Sequence, residues 1–435
     1  MTKSNNNIIP FSHFKSPPLH RRSACRNNGS HDRQKAMEQQ DTNIGEPKLW
    51  NANYIKIWCA NFMIFFSFML LAPLLPLYLS DTFGTNKETI GWVLSGYTLT
   101  ALLFRPFSGF LVDSFPRKQV LLVVYFLFFA FFAGYLVAGS LLMFAIVRTL
   151  HGAPFGATTV ANSTVAIDVL HPERRAEGIG YYGLSNNIAT ALAPTVALCV
   201  FQVWNSYDVL FAISLACAGI GFAINSTLKI APREQVKPQT PVSLDRFFLV
   251  KGWPEAATQA CFAFSYGVLS TYIAIYGKEE LGITGGTGLF FMLLAGGLIM
   301  ARLIGSRSLR DGKITRNASF GVLVSMFGYL LFAAVHSPVG YYGAALIIGF
   351  GNGHMFPAFQ TMFINLAPNS LRGTANATQL TSWDVGVGAG VLVGGIFAEN
   401  LGYHAAFWAA LVVNVVGVLA LFLRINGHFA KNRLR

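Results

Sequence analysis

Charge is scarce in this 435-residue chain: Asp, Glu, Lys and Arg together make up 12% of it, about half the share usual in soluble proteins. So few charged groups cannot cover 53% hydrophobic residues and 42 glycines in water, which excludes a soluble globular class. Cysteine is also sparse. Cys25, Cys59, Cys199, Cys217 and Cys261 lie far apart with no C-x-x-C, so neither a disulfide framework nor a thiolate metal site is expected, and they read as small buried apolar residues. There is no G-x-x-x-x-G-K-[ST] loop to bind ATP, no H-E-x-x-H, no intramembrane Ser/His/Asp set and no pair of carboxylates at helical spacing. A membrane enzyme, a direct ATPase, and any metal or cofactor are therefore not expected. Residues Met1 to Trp50 contain no apolar stretch of the kind a secretory signal needs.

What is abundant is apolar length. Phe occurs 38 times, mean hydropathy is +0.47, and from Tyr54 onward twelve stretches follow that can each cross a hydrocarbon layer of about 30 Å. The first six run roughly 54–79, 90–112, 120–138, 141–165, 179–203 and 209–228; the second six run 255–276, 288–306, 318–335, 340–364, 375–397 and 405–423. The expected organisation is a disordered leader (1–53), a six-helix half (54–228), a linker (229–252) marked by Pro232, Pro238 and Pro241, a second six-helix half (253–424) and a tail (425–435). Met37-Glu38-Gln39 opens a short polar leader, so translation is hypothesised to start at Met37; N-terminal mass analysis showing earlier residues would exclude that. If alternate connections lie on opposite sides, 26 Lys and Arg fall on the side of the leader, linker and tail, and only Lys87 and Lys278 on the other. Basic loops stay cytoplasmic, so both termini are expected in the cytoplasm, in the inner membrane. The net charge of +13 is then a topology signal and not a nucleic-acid-binding surface.

The two halves repeat. At an offset of 197, Gly91 meets Gly288, Arg105 meets Arg302, Gly152 meets Gly349, Gly156 meets Gly353 and Arg175 meets Arg372 without a gap. Asn187 meets Asp384, and Asp168 meets Asn365. Parallel repeats of six spans around a central path are a transporter architecture. Gly109-Phe110-Leu111-Val112-Asp113-Ser114-Phe115-Pro116-Arg117-Lys118 resembles the cytoplasmic signature that the major facilitator superfamily carries after its second span. Gly109, Leu111, Asp113, Arg117 and Lys118 match, while Ser114 and Pro116 depart from it. Arg148-Thr149-Leu150-His151-Gly152 is similar to that family's R-x-x-q-G in the fourth span, and Ala193-Pro194 keeps only a remnant of the antiporter motif in the fifth. The chain is thus identified as resembling the drug:proton antiporter and arabinose-efflux-like branch. The resemblance implies an all-α membrane protein of twelve transmembrane helices in two pseudo-symmetric halves, working as a monomer, with Gly109, Asp113, Arg117 and Lys118 forming a cytoplasmic gate.

Charges inside a membrane are functional candidates because each costs about 2.5–3.5 kcal/mol on insertion scales. Asp384 is the one carboxylate near the middle of a span, about 18 Å beyond Arg372, and it breaks the repeat at Asn187. Arg105 lies about 12 Å inward from Asp113. In the resembled fold spans 2 and 11 pack across the halves, so an Arg105–Asp384 pair is expected. Two readings stay open: a proton-coupling pair that protonation of Asp384 dissolves, or a fixed strut that only positions two helices. Arg148 is a third coupling candidate by resemblance. Arg302 is read as the mirror of Arg105, with Asn187 as an uncharged partner.

The resemblance places spans 1, 4, 7 and 10 around the centre, and the candidate cavity residues they offer are Asn61, Phe65, His151, Gln259, Tyr266, Asn352, His354 and Gln360, with Asn187 added from span 5. Arg148, His151, Phe155, Thr158 and Asn162 follow helical spacing and are expected to line the cavity on one face. The list is aromatic and nearly uncharged, which favours amphipathic or neutral cargo over sugars. The function expected is a proton-coupled secondary transporter, an exporter of small drugs or metabolites, whose partners are a small-molecule substrate, protons and the lipid bilayer. The alternatives are proton-coupled metabolite uptake, or a membrane sensor that transports nothing.

Overall fold

The computed structural model describes residues 48–72, 74–85, 87–230, 244–283 and 287–434. Most of the leader with its Met37 start, and the part of the linker holding Pro232, Pro238 and Pro241, lie outside the described residues.

The first half consists of span 1 (Ala52–Leu71, resumed as Leu75–Phe83), span 2 (Lys87–Ser114), span 3 (Arg117–Val137), span 4 (Leu141–Val169), span 5 (Arg175–Trp204) and span 6 (Tyr207–Ser226). The second consists of span 7 (Trp253–Glu279), span 8 (Thr287–Arg310), span 9 (Ile314–Ala334), span 10 (Pro338–Leu366), span 11 (Arg372–Leu401) and span 12 (Tyr403–Ala420). Span 12 runs on through a π-helical turn at Leu421–Ile425 into a short helix, Asn426–Asn432, so much of the expected tail is helical. Several spans are longer than their hydropathy indicates. Span 2 reaches Ser114 and span 11 starts at Arg372 because charged and hydroxyl side chains occupy these ends, where apolar patterning stops before the backbone does.

Among the described residues nine helical segments are long and apolar enough to cross a bilayer by composition. The others, spans 2, 4 and 10, are 28 or 29 residues long and carry more polar and small residues. Spans 4 and 10 can afford this polarity because protein surrounds them: nearly every residue from His151 to Ile167, and from Gly349 to Ile364, is buried. By contrast span 12 exposes Trp408, Val412, Val416 and Leu419, a helical stripe that suits lipid and not water.

The repeat seen in the sequence is physical. Ser140 accepts a hydrogen bond from the Met143 N–H at 3.3 Å and starts span 4; Ser337, 197 positions later, accepts from Gly340 at 3.2 Å and starts span 10. A Cβ on Gly152 would lie 2.0 Å from the Tyr97 carbonyl oxygen, and one on Gly349 the same 2.0 Å from that of Leu294. These glycines let span 4 lie against span 2, and span 10 against span 8, backbone to backbone. Since the obstacle is backbone, no rotamer can relieve it. Gly152→Val and Gly349→Val are each expected to abolish the monodisperse folded peak in fluorescence-detected size exclusion; a normal peak from either would contradict this packing. The halves meet where span 2 faces span 11 and span 5 faces span 8, with span 4 touching span 11 and span 10 touching span 5.

Candidate functional site between the halves

At the end of the bundle where span 2 stops, a charge network ties the halves together. Asp113 accepts hydrogen bonds from the backbone N–H groups of Gly373 at 2.9 Å and Thr374 at 2.7 Å. These are donors that the first turn of any helix leaves unpaired, and the positive end of the helix dipole favours a carboxylate there. Span 2 of one half thus caps span 11 of the other. Arg117 donates to Asp113 at 3.0 Å and also pairs with Asp168 at the end of span 4. Arg372 reaches Asp168 from the second half at 2.9 Å and holds the Asn369 side chain at 2.7 Å. Arginine suits this work because its fork can serve two acceptors in one plane. Gly109 lies under the contact: a Cβ there would stand 2.7 Å from Cβ of Ala377 and 2.9 Å from the Gly373 carbonyl oxygen. Lys118 is only half-buried at the start of span 3.

The described end of the linker also joins this network. Phe247 packs on Phe107 and Phe110 of span 2, with ring centroids 5.5 and 5.1 Å away, while the Leu249 N–H donates to Thr378 of span 11 at 2.8 Å and the Arg246 carbonyl accepts from the Thr374 hydroxyl at 3.0 Å. Deeper still, Gln360 of span 10 donates to Asn376 of span 11 at 3.0 Å, and Asn376 donates across the halves to Ser163 of span 4 at 2.5 Å.

Two further turns inward, Arg105 and Asp384 meet across the same seam, Nη1 to Oδ2, at 3.0 Å. Asp113 contacts Gly373 and Thr374 at the start of span 11, which sets Arg105, deeper in span 2, within reach of Asp384. The Asp384 side chain keeps 24% of its surface exposed, so the pair is not wholly enclosed by protein. Trp383 beside it packs on Tyr266 and Phe356, which brings one candidate cavity aromatic, Tyr266, next to the pair.

Other candidates point elsewhere. Asn61 donates to Ser185 at 2.8 Å and accepts from Tyr182 at 2.7 Å; Asn162 donates to Tyr182 at 2.8 Å and accepts from Asn225 at 3.0 Å. This network lies wholly inside the first half and is fully buried. His151 is likewise enclosed, ringed by Phe128, Phe131 and Phe132 and joined through Nδ1 to the Tyr135 hydroxyl at 2.8 Å. Phe65 packs on Phe155. The structure thus places the His151 and Asn162 face of span 4 against spans 1, 3, 5 and 6 instead of an open path. Arg148 sits over the Tyr97 ring at 4.0 Å, near Phe68 at 5.4 Å, and donates to Tyr135 at 3.3 Å. In the second half Asn352 accepts from Ser325 of span 9 at 3.0 Å, Gln259 is fully buried near Ser382 of span 11, and His354 bonds back to the Phe350 carbonyl at 3.0 Å. Asn187 is half-buried on span 5.

Asp168, Arg372, Asn376 and Ser163 were not among the site residues expected from the sequence. The repeat held a signal for the first two, since Arg372 aligns with Arg175, and Asp168 with Asn365, at matching helix ends. Nothing in the pattern marks an Asn and a Ser on different halves as partners.

Comparison with known proteins agrees with this architecture. Residues 57–391 match the model of the Major Facilitator Superfamily. The chain is 22% identical over 398 residues to the staphylopine export protein of Staphylococcus aureus, covering 85% of this chain and 94% of that one. It is 26% identical over 377 residues to the maltose permease of Geobacillus stearothermophilus, covering 83% and 92%. Among solved structures, the transporter FucP in its outward conformation superposes with a TM-score of 0.72 at 15% identity, over 87% of this chain and 99% of that one. With twelve helices in two repeated halves, a charge network at their seam and a family match over most of its length, the chain belongs to the Major Facilitator Superfamily and is a membrane transporter, not an enzyme.

Proposed function

We propose that the protein is a proton-coupled secondary active transporter that exports small drugs or metabolites by alternating access. The observation that carries the proposal is the Arg105–Asp384 pair, a single carboxylate in mid-bundle held by an arginine of the other half at 3.0 Å. A proton on Asp384 removes the charge that holds Arg105, so protonation acts directly on a contact between the halves and biases their relative position. In this reading the Asp113 network is the gate at one end, and the excess of Lys and Arg on that side supports placing it, with both termini, at the cytoplasmic face of an inner membrane. Export is supported by the likeness to a protein named for staphylopine export. Uptake by symport is the second reading, favoured by the comparable likeness to a maltose permease.

The deciding experiment is proton flux in proteoliposomes with a trapped pH dye, an imposed gradient and a panel of drugs, nucleobases, amino acids and sugars. Proton movement opposite to the compound means antiport, and movement with it means symport. If no compound moves protons, the coupling proposal fails.

A further inference from the structure

Arg302 on span 8 is the repeat counterpart of Arg105, but its surroundings are different. It is 5% exposed, its Nε and Nη1 are buried without a hydrogen-bond partner, and none of the ion pairs among the described residues includes it. In the repeat, Asn187 stands at the position of Asp384, so span 5 offers no carboxylate there. The guanidinium turns instead toward Gly180 and Gly183 of span 5, where a Cβ would stand 3.6 Å from Nη1 and 3.5 Å from Nη2. A cavity of about 10 Å³, at most the space of one water, lies there and is lined by Arg302, Gly180, Glu177, Asn317 and His354. Glu177 does not supply the missing charge, because Arg174 already holds its carboxylate at 2.8 Å.

Charge in mid-bundle is therefore unbalanced. Asp384 answers Arg105, whereas Arg148 has ring faces and a phenol for company and Arg302, with glycines, Asn317 and His354 beside it, has no carboxylate in ion-pair contact among the described residues. An uncompensated arginine is costly in a membrane, and the usual answer is an opposite charge. Spans 5 and 8 belong to different halves, and Arg302 lies about 12 Å in from Arg310 at the end of span 8. Parting of the halves at the Asp113 end would bare the guanidinium beside two residues without side chains. We infer that the cargo carries a carboxylate and that Arg302 is the residue that receives it. This refines the transport reading above and rests on it; it also replaces the neutral cargo expected from the uncharged list of candidate cavity residues.

The test is binding, which requires no proton coupling. Full-length protein in phosphatidylcholine nanodiscs, where no anionic headgroup competes, is titrated with benzoate, 1-naphthoate and citrate, each against its amide, while thermal unfolding is followed. Carboxylates are expected to raise the transition temperature saturably and amides are not. Arg302→Gln should weaken carboxylate binding by ~10-fold or more, the cost of a lost charge-assisted hydrogen bond, while Arg302→Lys should retain part of it. Binding is read with no proton gradient imposed, so its outcome is independent of the proton-flux experiment, and a failure of one is distinguishable from a failure of the other. If no carboxylate in the panel binds the wild type more tightly than its amide, or if Arg302→Gln binds as well as the wild type, the inference is overturned.

Discussion

Asp384→Asn is expected to abolish proton-driven accumulation of cargo while leaving exchange of cargo down its own gradient. Asn has the size of Asp and preserves the helix, but it cannot take or release a proton. The wild-type carboxylate has two states with different consequences: ionised, it holds Arg105 at 3.0 Å across the seam; neutral, it offers only a weaker hydrogen bond. A buried pair broken by loss of one partner costs about 3–5 kcal/mol, and the lower end is taken here because the Asp384 side chain is 24% exposed. A contact worth about 3 kcal/mol in one opening and nothing in the other biases the two by roughly 100-fold. Locking the position in the neutral form removes that bias, so transport should also lose its dependence on pH. Arg105→Gln in the Asp384→Asn background removes the stranded cation and should recover protein yield without recovering coupling. Uphill accumulation by Asp384→Asn at the wild-type rate would reduce the pair to a strut between spans 2 and 11.

Much of this arrangement was legible in the sequence because the membrane simplifies it. Apolar length located twelve helices, and the offset that pairs Gly152 with Gly349 announced a repeat that the structure expresses as identical 2.0 Å approaches to the neighbouring backbone. Spacing within one span also read well: eight residues between Arg105 and Asp113 set a depth, and that depth brought Arg105 level with Asp384. What pattern could not supply was the direction of side chains within a half. Helical spacing correctly put His151, Phe155 and Asn162 on one face of span 4, but span 4 is surrounded by protein, and a single-span pattern cannot tell a face turned to other spans of its half from one turned to the opposite half. The same limit hid Asn376 and Ser163, whose bond joins residues 213 positions apart. It also hid the isolation of Arg302, since the symmetry that matched it to Arg105 gave no sign that its side chain turns toward Gly180 and Gly183.

Loss of the Asp113 charge should open the end that the network closes. Asp113→Asn keeps the side-chain shape but gives up the ion pair with Arg117 and weakens the two caps on span 11, at Gly373 and Thr374. Hydrogen bonds to charged groups are worth about 1.5–3 kcal/mol each, and this carboxylate is enclosed, with only 6% of its side chain exposed, so screening recovers little. A shift of about 3 kcal/mol moves the balance between openings by roughly 100-fold. Ser163 reports on it: its hydroxyl is buried at the seam against Asn376, so Ser163→Cys, in a background with the five native cysteines replaced, is shielded while that end is closed. A membrane-impermeant maleimide applied from the Arg117 side should label it much faster when Asp113→Asn is added. Gly109→Val should give the same increase by a steric route, since its Cβ would press on Ala377 and the Gly373 carbonyl. Agreement between a charge change and a volume change would locate the effect in the closure and not in either residue alone. Unchanged labelling in Asp113→Asn would mean that packing between spans 2 and 11, and not the carboxylate, holds this end shut.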